Sequence, residues 1–110
     1  MNIQIIDRHL GIRQHQRNHI DRCLQFAFDR FSTHVNDIDI SLADVNGPKG
    51  GEDVQCRIRI SLHGTGELIV EGKGSTVEAV VAETADRAAL AVSRRIDRLR
   101  NVQGTSMSGQ

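Results

Sequence analysis

Tryptophan and tyrosine are absent from the 110 residues, and the three phenylalanines, Phe26, Phe28 and Phe31, crowd into one short segment. A sheet without aromatics cannot stack bases as RRM or OB surfaces do, so those modes of nucleic-acid binding are excluded. Two cysteines, Cys23 and Cys56, are too few for a disulfide scaffold, and a reducing cytosol is the natural compartment. No apolar run approaches the roughly 18 residues of a membrane span, so no membrane role is expected. The apolar start ending at Ile6 meets Asp7 and Arg8 before a secretory core can form, and a cytoplasmic location is expected. Charge of one sign is also missing: 14 basic and 14 acidic residues leave a formal net of zero. That balance excludes a bulk polycation and leaves local patches open.

Two periods organise what is present. Residues 2–6 alternate and read as a first strand. From about Ile12 to Phe31 the spacing becomes helical, with Ile20, Cys23, Leu24, Ala27, Phe28 and Phe31 on one stripe. Alternation returns at Ile38, Ile40 and Leu42. The single proline, Pro48, then sits in a glycine-rich loop over 46–51. A longer strand points Val54, Cys56, Ile58, Ile60 and Leu62 inward and Gln55, Arg57, Arg59 and Ser61 outward. Gly64-Thr65-Gly66 turns into a fourth strand over 67–72. Ser75 and Glu78 have capping-box spacing, and a second helix to about Arg100 would bury Val77, Val81, Ala85, Ala88, Val92, Ile96 and Leu99. The small, polar segment 101–110 reads as a disordered tail. The expected fold is α+β, a β-α-β-β-β-α two-layer sandwich forming one domain over 1–100. Both helices pack on one face of a four-stranded sheet, and the other face stays wet.

Catalytic patterns are poor, and no enzyme is expected. Glu71-Gly72-Lys73-Gly74-Ser75 has the look of a phosphate loop, but the upstream glycine is one residue too far away and Gly74 takes the place of the metal-binding hydroxyl. A strand end followed by a helix cap is the plainer reading. His15, His19 and Cys23 follow at i+4, a spacing that can hold a metal, yet the trio drifts around the helix and no fourth ligand stands nearby. Surface histidines, no metal and no cofactor are expected. Cys56 lies among core positions and reads as a buried small hydrophobe.

Arginine carries the stronger message. Only Lys49 and Lys73 are lysines, and every other basic residue is the side chain that grips phosphate bidentately. On the second helix Arg87, Arg94 and Arg98 lie within about 40° of one another beside the core stripe, with Arg95 flanking them. Between Arg87 and Arg100 five arginines face one acid, Asp97. Two readings stand: a solvated face whose charge complements the helix dipole, or a phosphate-binding strip. Arg17 and Arg22 of the first helix extend the strip if the helices lie side by side. Phe26 falls off the core stripe and is expected on the surface.

The residues also carry a resemblance. Asn2-Ile3-Gln4-Ile5, Arg8-His9-Leu10, Ile12 and Arg17 resemble the opening of the bacterial ribosome hibernation-promoting factor family, which includes the ribosome-associated inhibitor proteins. Gly66-Glu67-Leu68 is similar, as are Asp86-Arg87, Val92, Arg94-Arg95 and Arg98 on the last helix, so the likeness spans about residues 2–100. It implies the same β-α-β-β-β-α fold and a protein that occupies the mRNA and tRNA channel of the small ribosomal subunit, held by contacts to rRNA phosphates. Arg17, Arg87, Arg94, Arg95 and Arg98 match the family's basic positions, and Lys49 and Arg22 are added from the exposed loop and polar helix face. Cys23 and Phe26 stand where relatives often carry lysines. Long relatives have a further ribosome-pairing domain, which this chain, ending at Gln110, is not expected to supply. No small-molecule substrate is implied, and a weak homodimer is compatible with this reading. The alternative is a protein-interaction regulator that keeps the fold without binding ribosomes.

Overall fold

The computed structural model describes residues 1–45 and 54–108, with the backbone path alone for 101–108. Its elements run β1 (Asn2–Arg8), α1 (Gln14–Phe28), a short 3-10 turn (Asp29–Phe31), β2 (Val35–Asp44), β3 (Val54–Leu62), β4 (Gly66–Gly74) and α2 (Val77–Ser108). The expected order is therefore the observed one. The strands lie in sequence order in a single sheet, with β1 and β2 parallel and the other two pairings antiparallel.

Alternation decides which face the helices cover. Ile38, Ile40 and Leu42 of β2 and Cys56, Ile58 and Ile60 of β3 are fully buried, and they pack against Ile20, Leu24 and Phe28 of α1 and Val80, Val81, Ala88 and Val92 of α2. Both apolar stripes thus lie on one side of the sheet, as the period of 3.6 requires. Cys23 and Ala27 are half-buried at the margin of that core.

Local chemistry fixes the element ends. After β1 the chain turns through His9 at φ 71° and Gly11 at φ 67°. The Asp7 carboxylate clamps this turn, accepting the Leu10 N–H at 2.9 Å and the Ile12 N–H at 2.8 Å. Those bonds, the Ile12 one foremost, hold the Asp7 carboxyl below its ordinary range, with Arg17 assisting against a modest desolvation cost. A depressed carboxyl stabilises the fold fully above its unfolded value, near pH 4, and loses that contribution as pH falls through the folded value. Asp7→Asn takes the charged acceptor from both N–H groups and leaves one of them with no acceptor, and it is expected to cost about 1–2 kcal/mol in urea unfolding at pH 7. The variant should also lose part of the acid sensitivity below pH 4; identical acid limbs for both proteins would contradict the clamp.

Three expectations need correction. The cap of α2 is Thr76, not Ser75: its Oγ1 accepts the Ala79 N–H at 3.2 Å and its carbonyl accepts the Val80 N–H at 3.1 Å. Glu78, one residue out of capping register, instead accepts from Gln16 Nε2 of α1 at 3.4 Å. Leu99 is 41% exposed rather than core. At 1.5 Å per residue the helix soon outruns a nine-residue strand of roughly 30 Å, so residues past Ile96 have no sheet beneath them. The backbone stays helical to Ser108, beyond the end expected near Arg100 and through most of the segment read as a disordered tail. No proline interrupts it, and extending an existing helix is far easier than nucleating one.

Candidate nucleic-acid interface

Of the seven candidate basic residues, the six that lie among the described residues are divided by the fold. Helix α2 lies over β3 and β4, and its β4 side carries the arginine strip. Arg87 Nη2 donates to the Glu71 carbonyl at 2.8 Å, and Arg95 Nη1 donates to the Thr65 carbonyl at 3.2 Å. Glu71 lies on the edge strand β4 and Thr65 in the turn just before it, so these two guanidiniums satisfy main-chain oxygens and fasten the helix along the sheet. They are half spent on structure.

Arg94 and Arg98 are different. Both are exposed, one helical turn apart, with no hydrogen-bond or ion-pair partner among the described residues. Their forks are free for an incoming acceptor.

The first helix does not extend this strip. Arg22 lines a groove of about 830 Å³ between the helices, shared with Phe26 and Ala27 of α1 and Asp86, Ala89 and Leu90 of α2. That groove lies on the α1 side of α2, whereas Arg87 reaches β4 and Arg95 the turn before it. The helices do lie side by side, but α2 itself separates Arg22 from the strip. Arg17 is half-buried, and its charge favours the ionised form of Asp7. Lys49 lies outside the described residues.

The remaining candidates resolve plainly. His15 and His19 are exposed, and no group of three or more His, Cys, Asp or Glu residues is placed to hold a metal among the described residues. Burial pushes the Cys56 thiol up to about 11, keeping it protonated at neutral pH, and burial with Asp86 nearby also raises Cys23. The phosphate-loop lookalike is the end of β4: Gly72 passes directly beneath Thr84 and Arg87 of α2. No described helix is long and apolar enough to cross a membrane.

On the uncovered sheet face, register groups side chains that sequence reading treated singly. Arg59 is saturated, bonded to Asp39 and 3.5 Å from Glu67. Arg57 meets Glu71 at 3.7 Å, and Arg8 has no partner among the described residues. The outward strand positions of Arg57 and Arg59 are legible in the sequence, whereas Arg8 lies beyond the strand expected over 2–6, and which cations share a row depends on strand pairing.

Residues 3–100 match the family described as sigma 54 modulation protein / S30EA ribosomal protein. The chain belongs to that family, in agreement with the resemblance carried by its opening and its last helix. The N-terminal domain of Thermus thermophilus Protein Y is similar in structure, with a TM-score of 0.70 at 25% identity, covering 86% of this chain and 98% of that one. A ribosomal subunit interface protein from Coxiella burnetii has the same fold, with a TM-score of 0.71 at 13% identity, covering 88% of this chain and 99% of that one. Among curated proteins no match is found. The family is one of ribosome-associated proteins.

Proposed function

We propose that the protein is a cytoplasmic translation silencer. It binds the small ribosomal subunit as a folded plug in the mRNA and tRNA channel, held by arginine contacts to rRNA phosphates. One observation carries the reading: in a member of a ribosome-associated family, Arg94 and Arg98 stand exposed, with no partner among the described residues, on a helix fastened to the sheet by Arg87 and Arg95. Free forks on an anchored helix suit phosphate recognition. Occupation alone excludes mRNA and tRNA, so the mechanism needs no cofactor or substrate. Co-sedimentation of the protein with small subunits across a salt series tests it. Engagement of four phosphates predicts a log–log salt slope of about −3, and a flat slope would overturn the reading.

A second reading has its own observation. Phe26 is 89% exposed and Leu90 49% exposed on the same interhelical groove, an arrangement that suits a protein partner. If that groove is the working surface, Phe26→Glu abolishes partner capture while Arg94→Glu has no effect. Retained ribosome binding in the Phe26 variant, with loss in the Arg94 variant, favours the plug.

A further inference from the structure

The open face of the sheet is polarised, although the chain as a whole carries no net charge. Pairing aligns Asn2, Asp37, Ser61 and Glu67 in one row and Gln4, Asp39, Arg59 and Ile69 in the next. Ile6, Ser41, Arg57 and Glu71 follow, then Arg8, Ala43, Gln55 and Lys73. The first two rows hold three carboxylates and one cation, Arg59, which they saturate. The last two rows hold three cations and one carboxylate, Glu71.

A basin of about 160 Å³ lies in the positive half, bounded by Arg8, Ser41, Ala43, Gln55, Arg57 and Glu71. Its floor is low because Ala43 is small and Ser41 short. Arg8 on β1 and Arg57 on β3 rise on either side, from backbones about 10 Å apart. The Ser41 hydroxyl and the Gln55 amide add neutral donors between them. Arg8 is fixed from behind, since the turn that follows it is clamped by Asp7. Among the described residues of these two rows Glu71 is the one opposing charge, and at 3.7 Å it engages Arg57 only loosely. Arg8 and Lys73, at opposite ends of their row, have no partner among the described residues.

We propose that this basin binds a phosphate group, a contact separate from the α2 strip. Two guanidiniums over neutral donors, with Glu71 the one weak competitor among the described residues, match the demands of a phosphate oxyanion. A small free ligand is normally enclosed over most of its surface, which an open sheet face cannot provide. The fitting source is therefore a phosphodiester presented by a polynucleotide. With Arg94 and Arg98 on the helical layer, the molecule then engages RNA from both of its faces. The site itself depends on phosphate chemistry alone; its use on the ribosome rests on the function proposed above.

The test uses the full chain and Arg8→Gln, with Lys73→Gln as a second variant should the first fail to fold. If wild type sediments with small subunits, the variant should bind several-fold more weakly, with a salt slope shallower by about 1. An unchanged slope overturns the basin and leaves the proposed function standing. If wild type does not sediment at all, the proposed function fails, and amide chemical shifts on adding a short RNA hairpin decide the basin separately. Saturable shifts at Ser41, Ala43, Gln55 and Arg57 that vanish in the variant support it; shifts elsewhere or none overturn it. A parallel titration with inorganic phosphate identifies the source. Saturation by phosphate as tight as that by the hairpin would overturn the assignment to a polynucleotide.

Discussion

Replacing Arg94 and Arg98 together by glutamate should weaken binding to the small subunit about 100-fold or more and make the salt slope shallower by between 1 and 2. Each free guanidinium contributes a charge-assisted contact of roughly 1.5–3 kcal/mol to a phosphate, and reversal adds repulsion to that loss. The fold should tolerate the change, because both side chains are exposed and touch no described partner. Equal thermal midpoints alongside lost sedimentation would locate the defect at the interface. Arg87 and Arg95 make the informative contrast. Their substitution removes hydrogen bonds to Glu71 and Thr65, so any loss of binding should come with a loss of stability. Retained ribosome binding by the Arg94/Arg98 variant would move the contact surface off α2.

That division among the arginines marks where sequence reasoning stops. Helical spacing correctly places Arg87, Arg94, Arg95 and Arg98 on one flank, since a period of 3.6 is a local property. Whether a given fork is free depends on which carbonyls β4 leaves unpaired, and no pattern within α2 records that. Likewise Arg22 and Arg94 both lie beside apolar stripes, but only the packed helices show that α2 stands between them. The buried strand residues were legible because alternation fixes Ile38, Ile40, Ile58 and Ile60 on one face regardless of neighbours. Leu99 failed for the opposite reason: periodicity continues past the point where the sheet ends. The Asp7 clamp could have been found, because an aspartate ahead of a glycine-containing turn is a known loop former. The charge rows of the open face could not, since they require the register of four strands.

A close approach of the two layers, at Gly72, makes the other large prediction. A Cβ added to Gly72 would overlap Thr84 Oγ1 and come within 2.7 Å of Arg87 Nη2. The arginine tip can swing aside, but Thr84 is fully buried and its branched side chain has few rotamers. Gly72→Ala must therefore lift α2 from β4 and is expected to cost about 1–3 kcal/mol by overpacking, lowering the thermal midpoint by roughly 5–15 °C. Thr84→Ala removes the obstruction, so the double variant should recover most of the loss, with a coupling of at least about 1 kcal/mol in urea unfolding. Additive effects would show that the Gly72–Thr84 contact does not set the spacing of the layers. The same displacement carries Arg87 away from the Glu71 carbonyl and loosens the support of Arg94 and Arg98. Gly72→Ala should therefore weaken ribosome binding while leaving both binding arginines in place, and Thr84→Ala should restore it. Parallel recovery of stability and binding would tie the position of the strip to the packing of one glycine, and recovery of stability alone would separate them.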